Sequence, residues 1–201
     1  MKPKKPYHKE NLRQDLIDAG REYVRINGHQ GLSIRMLAQQ VGVSPGAPYH
    51  HFPDRRAFLL ALAIDQFEGL LQEASAKAED GLSAVDVVKS RAMNFVRFAL
   101  DNPHMLELMY ESDLTRPEVA PQLQHYQELS HQSGADSIRR CLPDINEKEA
   151  GLRNIGLWTS IYGLVSMINK GIIRPFDDGR YSIEEICDWV VDRAVGSALA
   201  A

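Results

Sequence analysis

Hydroxyl, imidazole and guanidinium groups crowd into one short stretch, with Ser33, Arg35, Ser44, Tyr49, His50, His51 and Arg55 all inside it. Together they offer hydrogen-bond donors suited to oxyanions, above all to phosphate. Metal chemistry is a poor fit. His50 and His51 are adjacent, so on a helix they project about 100° apart and cannot form an i, i+4 ligand pair. No zinc-ligand spacing occurs elsewhere, and no metal or cofactor is expected. Ser33 and Ser44 stand where a hydroxyl caps a helix and free backbone N–H groups face outward, and such helix ends also bind phosphate.

Two helical patterns must position these groups. Ile34, Leu37, Ala38 and Val41 recur at i, i+3, i+4 and i+7, the signature of an amphipathic helix, and Arg35 points away from that apolar face. Gly42 follows, suited to the left-handed conformation that ends a helix. Ser44 then reads as an N-cap and Pro45 as the first residue of a second helix, on which Pro48 and Phe52 share one face. Two helices meeting at a short glycine-containing turn form a helix-turn-helix, whose second helix enters the DNA major groove. That second helix carries few side chains able to read base edges. Gly46 allows close approach of backbone to DNA, Pro45 and Ala47 can pack on thymine methyls, and His50 is a strong hydrogen-bonding group. Pro48 removes an N–H from the first turn, so an irregular or tightened start is expected. Sequence choice is expected to rest on apolar contacts, Arg35, His50 and DNA shape.

Net charge of −4 suits a nucleic-acid binder only once it is divided along the chain. Residues 1–60 carry ten Lys and Arg against five Asp and Glu, whereas residues 61–201 carry thirteen against twenty-two. The positive end is the end bearing the motif, the electrostatic footprint of a DNA-binding head on a non-binding body. The basic tail Met1–His8 is a candidate arm for the phosphates or the minor groove.

Helical patterns account for the rest of the chain. A first helix runs from Leu12 to Ile26. A fourth is capped by Asp54, a fifth is capped by Ser83 and broken at Asn102-Pro103, and a short apolar helix spans Met105 to Tyr110. Thr115-Arg116-Pro117 is a loop. A polar helix then reaches Cys141, a long helix covers roughly Asn146 to Lys170, and a last helix opens with the capping box Ser182-x-x-Glu185. The expectation is an all-α protein of about nine helices. A three-helix DNA-binding domain occupies residues 1–55, and a helical ligand-binding and dimerisation domain occupies residues 56–201.

The run GLSIRMLAQQVGVSPGAPYHHFPDRRAFLLA, preceded by LIDAGREYV, closely resembles the N-terminal domain of the tetracycline-repressor (TetR) family of bacterial transcriptional regulators. The likeness covers residues 12–63. It includes Leu37-Ala38 before the turn, Gly42-Val43-Ser44 at it, Tyr49-x-His51-Phe52, and a basic residue opening the fourth helix. The body, through Asn102-Pro103 to Met109-Tyr110 and Trp158 to Tyr162-Gly163, is similar to one C-terminal type with a Trp-x-x-x-His-Gly signature. Here Tyr162 replaces that His. The resemblance implies a homodimer that reads a palindromic operator and represses transcription until a small molecule binds. It also implies phosphate contacts for Tyr49 and Arg55, and for His51 a packing and orienting role with a phosphate contact secondary.

In such a family Phe95, Phe98, Met105, Met109, Tyr110, Trp158, Tyr162 and Phe176 are candidates to line an effector pocket, for a ligand that is apolar or aromatic in part. Gly156, Ser160 and Gly163, with Ala194 and Ala198 on the last helix, are candidates for a dimer interface built as a four-helix bundle. A competing reading is an architectural or partner-binding DNA-binding protein without ligand response. An enzyme is not expected, since there is no Gly-rich phosphate loop, no His-x-x-x-His and no Cys-x-x-Cys. Cys141 and Cys187 lie far apart and give no disulfide framework; buried, inert thiols are the commoner case, and only Arg139 and Arg140 beside Cys141 leave a redox role open there. With no apolar run long enough for a membrane span and no signal core, the cytoplasm is the expected compartment.

Overall fold

A computed structural model describes residues 11–79, 81–113, 120–175 and 179–200. The tail Met1–His8, the loop Thr115-Arg116-Pro117 and Phe176 lie outside them. Among the described residues eight α-helices follow one another: α1 (Leu12–Asn27), α2 (Ile34–Val41), α3 (Arg55–Glu79), α4 (Ala84–Asp101), α5 (Pro103–Leu106), α6 (Pro121–Cys141), α7 (Glu147–Asn169) and α8 (Ile183–Ala198). No strand occurs among the described residues. The ninth expected helix, the reading helix of the motif, is instead a single 3-10 turn at Ala47–His50. A π-helical turn, Glu107–Glu111, continues α5.

Most helix ends follow from local chemistry. The side chains of Ser83, Asn146 and Ser182 accept the N–H groups of Asp86, Glu149 and Glu185 respectively, and Ser182 with Glu185 completes the capping box. Asp54 Oδ1 accepts the Ala57 N–H at 2.8 Å, starting α3. Gly42, at φ 83°, ends α2. Its N–H reaches Gln39 O and the Val43 N–H reaches Ala38 O, the paired bonds of a Schellman ending.

The described residues pack as two compact units, one within residues 11–66 and 104–123, the other within residues 67–103 and 124–200. In the first, Leu16, Ile17, Leu37, Phe58, Leu59 and Leu62 are fully buried, each contributing about 1.5–3 kcal/mol by leaving water. Phe58 meets Phe52 edge-on at 4.9 Å and fills the space above Gly20, where an added Cβ would lie 2.5 Å from the ring. Glycine is therefore what lets the ring approach α1. In the second unit, α4, α7 and α8 pack together around Val88, Val96, Leu164, Val165 and Val191. Arg153 draws the end of α8 onto α7, donating to Ala198 O at 3.0 Å and Ala200 O at 2.5 Å while pairing with Glu149. Lys89 and Asp192 join α4 to α8 at 2.5 Å.

Candidate nucleic-acid interface

The turn of the motif is tighter than an α-helix because of its prolines. Pro45 and Pro48 supply no N–H, and each disfavours the α conformation in the residue before it. Hydrogen bonding accordingly follows the i→i−3 pattern, with Ala47 N–H to Ser44 O at 3.1 Å, Tyr49 N–H to Gly46 O at 3.2 Å, and His51 N–H to Pro48 O at 3.0 Å. Pro48 is buried, as is Phe52. Ser44, Pro45, Gly46, Tyr49, His50 and His51 are exposed, and Ala47 is half-exposed. His51 lies tilted beside Phe52, with ring centroids 6.3 Å apart.

Neither expected serine cap forms. Ser33 occupies the N-cap position of α2, but its hydroxyl makes no cap hydrogen bond, and the residue preceding the 3-10 turn is Gly46 rather than Ser44. Both serines thus stay on the surface, Ser33 beside the free N–H groups of the first turn of α2. Arg35 is exposed on α2, with no hydrogen-bond or ion-pair partner among the described residues.

Arg55 is placed differently. Its Nε donates to Leu32 O at 2.9 Å, and its Nη2 donates to His29 O at 2.5 Å and Gln30 O at 2.8 Å. The guanidinium therefore clasps the loop between α1 and α2 and fixes where α2 begins. Within that loop His29 is only 7% exposed, and its Nδ1 has no hydrogen-bond partner among the described residues. Burial pushes the His29 pKa below its usual 6.5, opposed by the Glu107 carboxylate and aided by Arg55 and His104. Arg13 lies over the Phe52 ring at 5.6 Å, a cation–π contact that the spacing of residues did not suggest.

The sequence pattern described as "Bacterial regulatory proteins, tetR family" matches residues 16–62, and that of "Tetracyclin repressor-like, C-terminal domain" matches residues 88–194, more than half of the chain. The chain belongs to the TetR family. Among its relatives, the HTH-type transcriptional repressor AcnR of Corynebacterium glutamicum is 29% identical over 187 residues, 90% of either chain. The AcnR of Corynebacterium diphtheriae is 37% identical over 73 residues, a match spanning only 37% of that protein. Among solved structures, a protein of unknown function from Rhodococcus sp. RHA1 superposes with a TM-score of 0.77 at 28% identity, covering 97% of each chain. A TetR/AcrR-family transcriptional regulator from Thermobifida fusca superposes at 0.68 and 16% identity, over 92% of this chain and 97% of that one, a likeness of fold.

As in a TetR-family body, the remaining candidates sit on helices, though not all in one unit. Phe95, Phe98 and Tyr162 are half-buried in the second unit, and Tyr162 stacks on the more exposed Trp158 at 5.0 Å. Met105 and Met109 are buried in the first unit, with Tyr110 half-buried beside them in sequence. On α7, Gly156 and Ser160 are exposed and Gly163 is half-exposed. On α8 the two alanines face the interior of their own chain more than the surface. Ala198 is buried within its own chain, and Ala194 lies on the same side of the helix as Cys187, Val191 and Ala198. The outward side of α8 carries Trp189 and Gly196 instead, and α7 adds Leu152 and Met167 beside its small residues. A run of small residues shows that helices can approach closely, but not whether the neighbour belongs to the same chain. Both thiols, Cys141 and Cys187, are held above their usual pKa by burial, which opposes thiolate formation. Among the described residues no helix is long and apolar enough to cross a membrane.

Proposed function

We propose that this TetR-family protein is a transcriptional repressor that binds a palindromic operator as a homodimer and is released by a small-molecule effector. The observation that carries the reading is the surface around the 3-10 turn. There Ser33, Arg35, Ser44, Tyr49 and His50 are exposed, while Pro48 and Phe52 anchor the turn from beneath. Phosphate oxygens suit this set, with Gly46 letting the backbone come close and Pro45 and Ala47 presenting apolar surface. His51 is an accessory contact. Arg55 acts by holding the loop that orients α2, and it reaches phosphate only by giving up those carbonyls. The AcnR relatives carry the name of repressors, which favours repression.

Dimerisation through α7 and α8 is supported by Leu152, Gly156, Ser160, Gly163 and Met167 on one exposed face of α7, with Trp189, 62% exposed, on α8. The effector site is placed in the body, with Phe95, Phe98, Trp158 and Tyr162 as its aromatic surface. The protein works in the cytoplasm, where the DNA is. Selection of bound sequences from random DNA tests the reading. A two-fold symmetric sequence with half-sites about one helical turn apart, or a multiple of that, is expected. Enrichment of a single asymmetric site, or of none, overturns it.

A further inference from the structure

Arg91, on α4, has no acid to pair with among the described residues. Its Nη1 donates to Ser137 Oγ at 3.1 Å and its Nη2 to Ser133 Oγ at 2.9 Å, both on α6. Ser137 is itself buried and donates its own hydroxyl to Ser133 O at 2.9 Å. No carboxylate among the described residues lies within 4 Å of the guanidinium. Burial and the Arg140 cation both disfavour its charge, and Asp136, which offsets them in part, is engaged by Gln132 at 3.1 Å. A protein that needed only to join α4 to α6 would do so more cheaply with apolar side chains, because a partly desolvated cation without a counter-ion costs free energy. Two serines orient the fork without neutralising it, and a guanidinium fork matches the two oxygens of a carboxylate.

The surroundings indicate what such an anion is attached to. Phe95 and Phe98 follow Arg91 at i+4 and i+7, so they share its stripe of α4, and their rings lie 6.4 Å apart. One end of the stripe is cationic and the other aromatic.

We infer that Arg91, set by Ser133 and Ser137, is the anchor for the carboxylate of a small amphiphilic acid whose apolar part lies along Phe95 and Phe98. This deepens the proposed effector role and rests on that reading. It gives the effector a charge, where the sequence suggested only an apolar or aromatic body.

The test is thermal unfolding of the full-length protein without DNA. Matched probes are octanoate against octan-1-ol, benzoate against benzyl alcohol, and inorganic phosphate. At about a hundred times its dissociation constant a carboxylate is expected to raise Tm by about 5–10 °C, and its alcohol by much less. Arg91→Met is expected to unfold at the same or a higher temperature without ligand, and to weaken the carboxylate about 30-fold or more. Arg91→Lys keeps the charge but loses the fork, so an intermediate response is expected. Equal shifts with acid and alcohol overturn the inference. So do a carboxylate response that survives in Arg91→Met, an absence of response to either acid, a response to phosphate alone, or loss of cooperative unfolding in Arg91→Met. No DNA is present, so failure here leaves operator binding standing, and failure to select an operator leaves this site standing.

Discussion

Arg55 shows how far the role of a side chain depends on what surrounds it. Its position in the motif matches a basic residue of the family, yet its three donated hydrogen bonds end on the carbonyls of His29, Gln30 and Leu32. Arg55→Met is expected to destabilise the protein by roughly 2–3 kcal/mol, because it strands those acceptors as well as removing the donor. Chemical denaturation measures this, and an unchanged midpoint would show that the clasp contributes nothing. Gly20→Ala is a second case. The new methyl would collide with the Phe58 ring, and a loss of about 1–3 kcal/mol is expected. His29 brings a pH dependence. Its folded pKa lies below 6.5, so between those two values the unfolded chain binds more protons than the folded one. Stability is then full above about pH 6.5 and falls as the pH drops toward the folded value. His29→Leu is expected to flatten the decline in Tm between about pH 7.5 and 5.5. If the variant and the parent decline in parallel, another group is titrating.

At the scale of elements, local chemistry and tertiary packing part company at the reading turn. The i, i+3, i+4 spacing of α2, the Schellman ending at Gly42 and the caps at Asp54, Ser83 and Ser182 each depend on atoms within a few residues, so the sequence shows them directly. Ser182→Ala is expected to cost about 1 kcal/mol, read as a lowered Tm, since it removes one half of a complete capping box. The segment after Ser44 is different. Two prolines three residues apart signal irregularity, but not that the helix shrinks to Ala47–His50. The burial of Pro48 also matters there, and that depends on packing beneath the turn.

For the whole molecule, the charge asymmetry between residues 1–60 and 61–201 makes the head the expected nucleic-acid surface. Operator affinity should fall steeply with salt, and Arg35→Ala, by removing one phosphate-binding cation, should reduce that slope by about one. Gly163→Arg is expected to break the proposed dimer by placing a bulky charge on the small-residue face of α7. Sedimentation at micromolar concentration distinguishes monomer from dimer, and a persistent dimer would exclude that face.

The sequence by itself determined the α-helices outside the reading segment, the glycine corner at Gly42, the family and the end of the chain that carries positive charge. These rest on short-range hydrogen bonds, periodicity and composition, which need no folded partner. Tertiary structure decided which polar groups remain available. Arg55 is spent on carbonyls 23 to 26 residues away, and Arg91 is held by serines 42 and 46 residues away without an acid. It also turned Ala198 into its own chain and left Trp189 outside. Such outcomes depend on which helices come to lie side by side, and no spacing within a single helix contains that.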